Sequence, residues 1–150
     1  MYNIEKKKLK NSLRHVHKVS LTTDMWKSKN QKIEYMVVTK HWIDGNLKLQ
    51  KEVLNFVHIP PLCRRIEISN VVFNCAKEWG IEGKFSTISV DNASNNDVAV
   101  TLLKDDFGRC KKLLGEGKLF HGRCCAHVLN LMVQDGWKGI VDICENIRER

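Results

Sequence analysis

No apolar run in this chain approaches the roughly 20 residues that a membrane-crossing helix needs. The lysine-rich start also lacks the apolar core of a signal peptide, so a soluble intracellular protein without membrane partners is expected. Regularly spaced cysteines are lacking too. The six present, Cys63, Cys75, Cys110, Cys124, Cys125 and Cys144, are irregularly placed, and two fall at apolar positions of predicted helices. That argues against a secreted disulfide framework and for free thiols. Acidic residues are in short supply, 17 Asp and Glu against 25 Lys and Arg, which leaves a net charge of +8. Residues 1–20 hold six of those basic groups against the single Glu5, so five of the eight surplus charges sit in the leader. A basic balance favours anionic partners such as nucleic acid through phosphate contacts and counterion release. Lysine-rich solvated faces are also common in proteins that bind none.

What is present suits one compact domain: 150 residues, 43% apolar and 28% charged. Residues 1–18 carry Lys6, Lys7, Lys8, Lys10, Arg14 and Lys18 among few apolar residues and read as a basic linker or frayed helix. Val19–Thr23 and Ile33–Ile43 are rich in β-branched residues, Asp44-Gly45-Asn46 signals a hairpin turn, and Leu47–Ile59 supplies a third strand closed by Pro60-Pro61. Ile68, Val71, Val72, Cys75, Ala76 and Trp79 recur at helical spacing, with Gly80 placed for a left-handed cap. Phe85–Val90 reads as a strand ending at Asp91. Ser94 or Asn95 can cap a helix carrying Val98, Ala99, Leu102 and Leu103. Leu119–Cys124 reads as a short fifth strand, followed by a long helix whose stripe runs from Leu129 through Met132, Val133 and Ile140 to Ile147.

Three strands, helix, strand, helix, short strand and helix is the α/β succession of the ribonuclease H-like fold, a mixed sheet. A right-handed helical crossover sets strand four parallel to strand one, so their carboxyl ends, carrying Asp24 and Asp91, are expected side by side. Two carboxylates there make an oxygen-rich site that Mg²⁺ or Mn²⁺ prefers, and two such ions can drive phosphodiester attack. Both placements are equally ordinary for Asp, which ends strands and opens Asx-turns. Asp91-Asn92-Ala93-Ser94-Asn95-Asn96 is explained largely by turn and capping chemistry.

His121, Cys124, Cys125 and His127 form a dense group, but a structural zinc site draws two ligand pairs from separated segments and there is no second cysteine pair. Zinc is therefore not expected. Cys124 and His127, three apart at a strand-to-helix junction, can face the strand ends, which leaves His127 either an active-site residue or a packed structural one. Trp42 and Trp79 read as core, and Trp26, two residues beyond Asp24, as exposed near the site.

Three segments carry a resemblance. Leu21-Thr22-Thr23-Asp24-Met25-Trp26, Val90-Asp91-Asn92-Ala93-Ser94-Asn95-Asn96-Asp97 and Arg123-Cys124-Cys125-Ala126-His127-Val128-Leu129-Asn130-Leu131 resemble the plant RICESLEEPER-type members of the hAT transposase superfamily. The likeness runs in order from about Val19 to Arg150 and includes Asn55-Phe56 before Pro60-Pro61; Leu62-Cys63-Arg64-Arg65 departs from the pattern. The resemblance implies a nuclear, DNA-binding protein with metal-dependent cleavage and strand transfer as the family activity. It makes Asp24 and Asp91 metal ligands and catalytic residues. Cys124 and His127 become its Cys-x-x-His signature, with His127 near the scissile phosphate. It further implies that residues 19–150 are a partial catalytic domain, without the insertion domain, third carboxylate and dimerisation region of relatives. Glu145 and Glu149 are then structural. The expectations are a truncated transposase-like protein with Mg²⁺ or Mn²⁺ bound weakly and activity lost, or a non-catalytic protein that binds nucleic acid or full-length relatives. A working nuclease recruiting Glu145 is a third reading. Non-specific DNA contacts are expected from Lys6, Lys7, Lys8, Lys10 and Arg14.

Overall fold

The computed structural model describes residues 2–28, 33–60, 64–91, 94–110 and 113–148. In chain order its elements are α1 (Tyr2–Arg14), β1 (Val19–Lys27), β2 (Glu34–Ile43), β3 (Leu49–Ile59), α2 (Arg64–Trp79), β4 (Phe85–Val90), α3 (Ser94–Cys110), β5 (His121–Arg123) and α4 (Cys125–Arg148). The strands form one sheet in the order β3-β2-β1-β4-β5. β1 pairs antiparallel with β2 and β2 with β3, whereas β4 runs parallel to β1 and β5 parallel to β4. This is the mixed α/β sheet of a ribonuclease H-like fold.

The period-two alternation of β2 separates the two faces. Glu34, Met36, Val38 and Lys40 are buried, while Tyr35, Val37, Thr39 and His41 on the opposite side are half-buried. The buried side packs on Ile68, Val72, Cys75 and Ala76 of α2 and on Ala99, Val100, Leu103 and Phe107 of α3. Phe85, Phe107 and Phe120 close that core, the rings of Phe85 and Phe107 stacking at 4.1 Å. Lys40 is the polar exception: its side chain is fully buried and ion-paired with Glu52.

Helix α2 ends as Gly80 predicts. Gly80 takes φ +65°, its N–H bonds the Lys77 carbonyl at 3.0 Å, and the Ile81 N–H reaches the Ala76 carbonyl at 2.9 Å. The β2–β3 turn departs from expectation. The Asp44 carboxylate accepts N–H bonds from Asn46 and Lys48, and Leu47, not a glycine, adopts the left-handed conformation at φ 58°. Leu47 therefore belongs to the turn, and β3 starts at Leu49. β1 is longer than its β-branched start suggested and runs on to Lys27, which places Asp24 inside the strand.

Residues 2–14 form a helix, one of the two forms expected of the leader, and it is docked on the core. Leu13 is only 2% exposed and joins the core, with Leu9 and Val16 packed against it. Lys6 bonds Glu78, and the Lys84 ammonium donates to the carbonyls of Leu13 and Arg14 at 2.6 and 2.7 Å, closing the end of α1. At the other extreme, α4 leaves its apolar stripe in solvent: Leu129, Met132, Val133 and Trp137 are all at least 60% exposed. Among the described residues no helix is long and apolar enough to cross a membrane, and Cys75, Cys110, Cys124, Cys125 and Cys144 are free thiols. Cys63 lies outside the described residues.

Candidate active site at the carboxyl edge of the sheet

Strands β1 and β4 align Ser20 with Thr87, Leu21 with Ile88 and Thr22 with Ser89. Carrying that register two residues further brings Asp24 opposite Asp91. Side chains two apart share a face, so both carboxylates belong to the face of Ser20, Thr22, Thr87 and Ser89, the one opposite α2 and α3. Asp24 is exposed and Asp91 half-buried. A Thr87 hydroxyl bond to Ser20 at 2.9 Å and a 3.0 Å contact between Thr22 Oγ1 and His41 Nε2 hold the neighbouring residues of this face. Burial holds the His41 imidazole below its ordinary pKa, and the nearby Lys51 charge adds to that shift.

β5 extends the same edge. It aligns Ile88 with His121 and Val90 with Arg123, and the Cys124 N–H donates to the Val90 carbonyl at 3.1 Å. Cys124 thereby stands beside Asp91, and its own carbonyl accepts the Val128 N–H at 3.1 Å as α4 begins. His127, half-buried, lies within this first turn. The fold thus brings Asp24, Asp91, Cys124 and His127 to one sheet edge. Lys6, Lys7, Lys8, Lys10 and Arg14 stand elsewhere, on α1, whose end is tied to Lys84 at the opposite end of β4. Asn92 and Ala93 lie outside the described residues, as do the side chains of Ser94, Asn95, Asn96 and Glu145 and the whole of Glu149.

Two oxygen donors at adjacent strand ends suit a hard divalent cation, but among the described residues no group of three or more His, Cys, Asp or Glu could hold a metal ion. Among the described residues Asp24 and Asp91 thus offer two oxygen donors, fewer than such a group. One feature beside it escaped sequence reasoning. Trp26, two residues beyond Asp24 on the same face, packs with Tyr35 at 5.8 Å and Phe56 at 5.1 Å between ring centres. The signal was the antiparallel register, which sets Trp26 opposite Tyr35 and Tyr35 opposite His58. This aromatic platform stays partly open, Trp26 being 44% and Phe56 54% exposed.

The sequence profile of the ZBED1 RNase-like domain matches residues 22–119, a span that contains both carboxylates. A Zea mays protein described as an AC transposase is 38% identical over 150 residues, covering 99% of this chain and 18% of its own length. The zinc finger BED domain-containing protein RICESLEEPER 2 of Oryza sativa subsp. japonica is 30% identical over 133 residues, covering 88% of this chain and 18% of its own. DAYSLEEPER of Arabidopsis thaliana, named in the same way, is 31% identical over 137 residues, or 89% of this chain and 19% of its own. The chain thus spans less than a fifth of these relatives. With a matching profile over most of its sheet and hAT-type relatives along nearly all its length, the chain belongs to the ZBED1 RNase-like domain family of transposase-like proteins.

Proposed function

We propose that this chain is the front part of a hAT-type transposase catalytic core. In this reading Asp24 and Asp91 are two of the carboxylates that hold Mg²⁺ or Mn²⁺ at a DNA phosphodiester, and a third carboxylate is needed for cleavage and strand transfer. The observation that supports it is the parallel pairing of β1 with β4, whose register reaches Thr22 opposite Ser89, two residues short of Asp24 and Asp91. The cation would supply charge neutralisation for the phosphate and activation of the attacking oxygen. The chain's own residues would do the rest. Asp24 and Asp91 fix the position of the cation, and His127, at the start of α4, contacts the phosphate from the β5 side. The first turn of α4 also offers backbone N–H groups, which favour negative charge. Such a protein would work in the nucleus and bind DNA without sequence preference, through phosphate contacts that weaken steeply with salt.

The test is calorimetric titration with Mn²⁺. Weak binding is expected, because two carboxylates leave most of the coordination shell to water. Asp91→Ala should abolish it, and an unchanged trace would overturn the assignment. A second reading, a non-catalytic protein that associates with full-length transposase relatives, is favoured by the exposed apolar stripe of α4. The same titration separates the two, since this reading requires no metal.

A further inference from the structure

Between the ends of α1 and α2 lies a notch of about 270 Å³ whose floor includes Trp79 and Gly80 and whose rim carries Lys10, Arg14, Lys77 and Lys84. Three separate segments deliver these cations: α1, the last turn of α2, and the loop before β4. The notch also contains one acid, Glu78, whose carboxylate is taken by Lys6. Among the described residues none of the four rim cations has a carboxylate partner. Lys84 is accounted for structurally, since it caps α1 through the carbonyls of Leu13 and Arg14. Lys10 and Lys77 instead rest against aromatic rings, Lys10 at 5.9 Å from Trp79 and Lys77 at 4.6 Å from Phe73. The helix dipole makes a cation at the end of either helix tolerable, but it does not account for several unpaired cations from different segments around one concave surface.

We infer that this notch is a phosphate-backbone docking site for duplex DNA, separate from the carboxylate edge and built jointly by Lys10, Arg14 and Lys77. The inference rests on the reading of the chain as a DNA-acting core, and it extends the contact surface beyond the leader to α2. Lys84 precedes β4 and Asp91 follows it, so notch and carboxylates lie at opposite ends of that strand, roughly 20 Å apart at about 3.3 Å per residue. A duplex carries one charge per about 1.7 Å of axis and can reach both. The notch then holds the backbone while the far edge meets the scissile phosphate.

The experiment measures anisotropy of a labelled random-sequence duplex against KCl in EDTA, with the full chain and no divalent metal. Lys10→Gln with Lys77→Gln is compared with Lys48→Gln with Lys138→Gln, an equal loss of charge at two exposed sites elsewhere. Each lost phosphate contact removes about 0.9 from the slope of log K against log salt. The notch pair should therefore lower that slope by about 2, and the control pair should leave it unchanged. Equal slopes for the two pairs would overturn the proposal, showing only diffuse charge. So would loss of binding to anionic phospholipid vesicles with the duplex slope intact. Metal is absent from this assay and the carboxylate reading is tested by Mn²⁺ calorimetry, so failure of that reading and failure of the notch are seen in different assays.

Discussion

The Lys40 ammonium, with no side-chain surface left to solvent, lies 2.8 Å from Oε2 of Glu52 and 4.1 Å from the centre of the Trp42 ring. Burial holds its pKa below the ordinary lysine range, and Glu52 only partly opposes the shift. Because the unfolded chain binds this proton more tightly, stability should rise with pH from the lowered folded value up to about 10.4. The two partners should respond differently to substitution. Lys40→Met removes the desolvation cost at the loss of the ring contact, and should be neutral or stabilising by about 1 kcal/mol, with the pH-dependent rise gone. Glu52→Ala leaves a buried, unpaired ammonium and should cost about 2 kcal/mol, below the full buried-pair penalty because Glu52 is 42% exposed. Denaturant melts from pH 7 to 10 check both, and equal destabilisation by the two variants would contradict the account.

The leader supplies the next prediction. Leu13→Ala should destabilise the fold by about 3 kcal/mol, since it empties a core position that is 2% exposed. If residues 1–18 were a free linker, the melting midpoint would not move. One consequence is practical: deleting α1 would remove core packing together with charge, so DNA binding by the leader is better tested by Lys→Gln substitution than by truncation.

Much of the sheet was legible because its signals are local. The alternation of β2, the apolar stripe of α2 and Gly80 as a left-handed cap each depend on residues within a few positions of one another. The docking of α1 was not legible: its apolar content toward the core is little more than Leu9 and Leu13, one turn apart in a run of lysines. The parallel pairing of β1 with β4 could be reasoned from the handedness of the crossover. By contrast, Trp26, Tyr35 and Phe56 are scattered in sequence and meet only through the register of three strands. The basic notch was hidden for the same reason. Lys10 and Lys77 are 67 positions apart and converge only because α1 packs beside the end of α2.

The last prediction concerns chemistry, and it follows from what surrounds the two carboxylates. Attack on a phosphodiester requires entering and leaving oxygens to be stabilised together, and a cation held by two carboxylates in place of three is positioned loosely. Misplacement by about 1 Å can cost on the order of 100-fold in rate. Asp24 is also exposed, so water competes with it for the cation. The apolar stripe of α4, including Leu129, Met132 and Trp137, adds a second obstacle, since it favours association over a single defined state. The 150-residue chain should therefore neither nick nor join transposon-end DNA in Mn²⁺, even where calorimetry detects weak metal binding. Incubation of the purified chain with such DNA, resolved on denaturing gels, is the measurement. Cleavage that disappears with Asp24→Ala would show that these two carboxylates suffice.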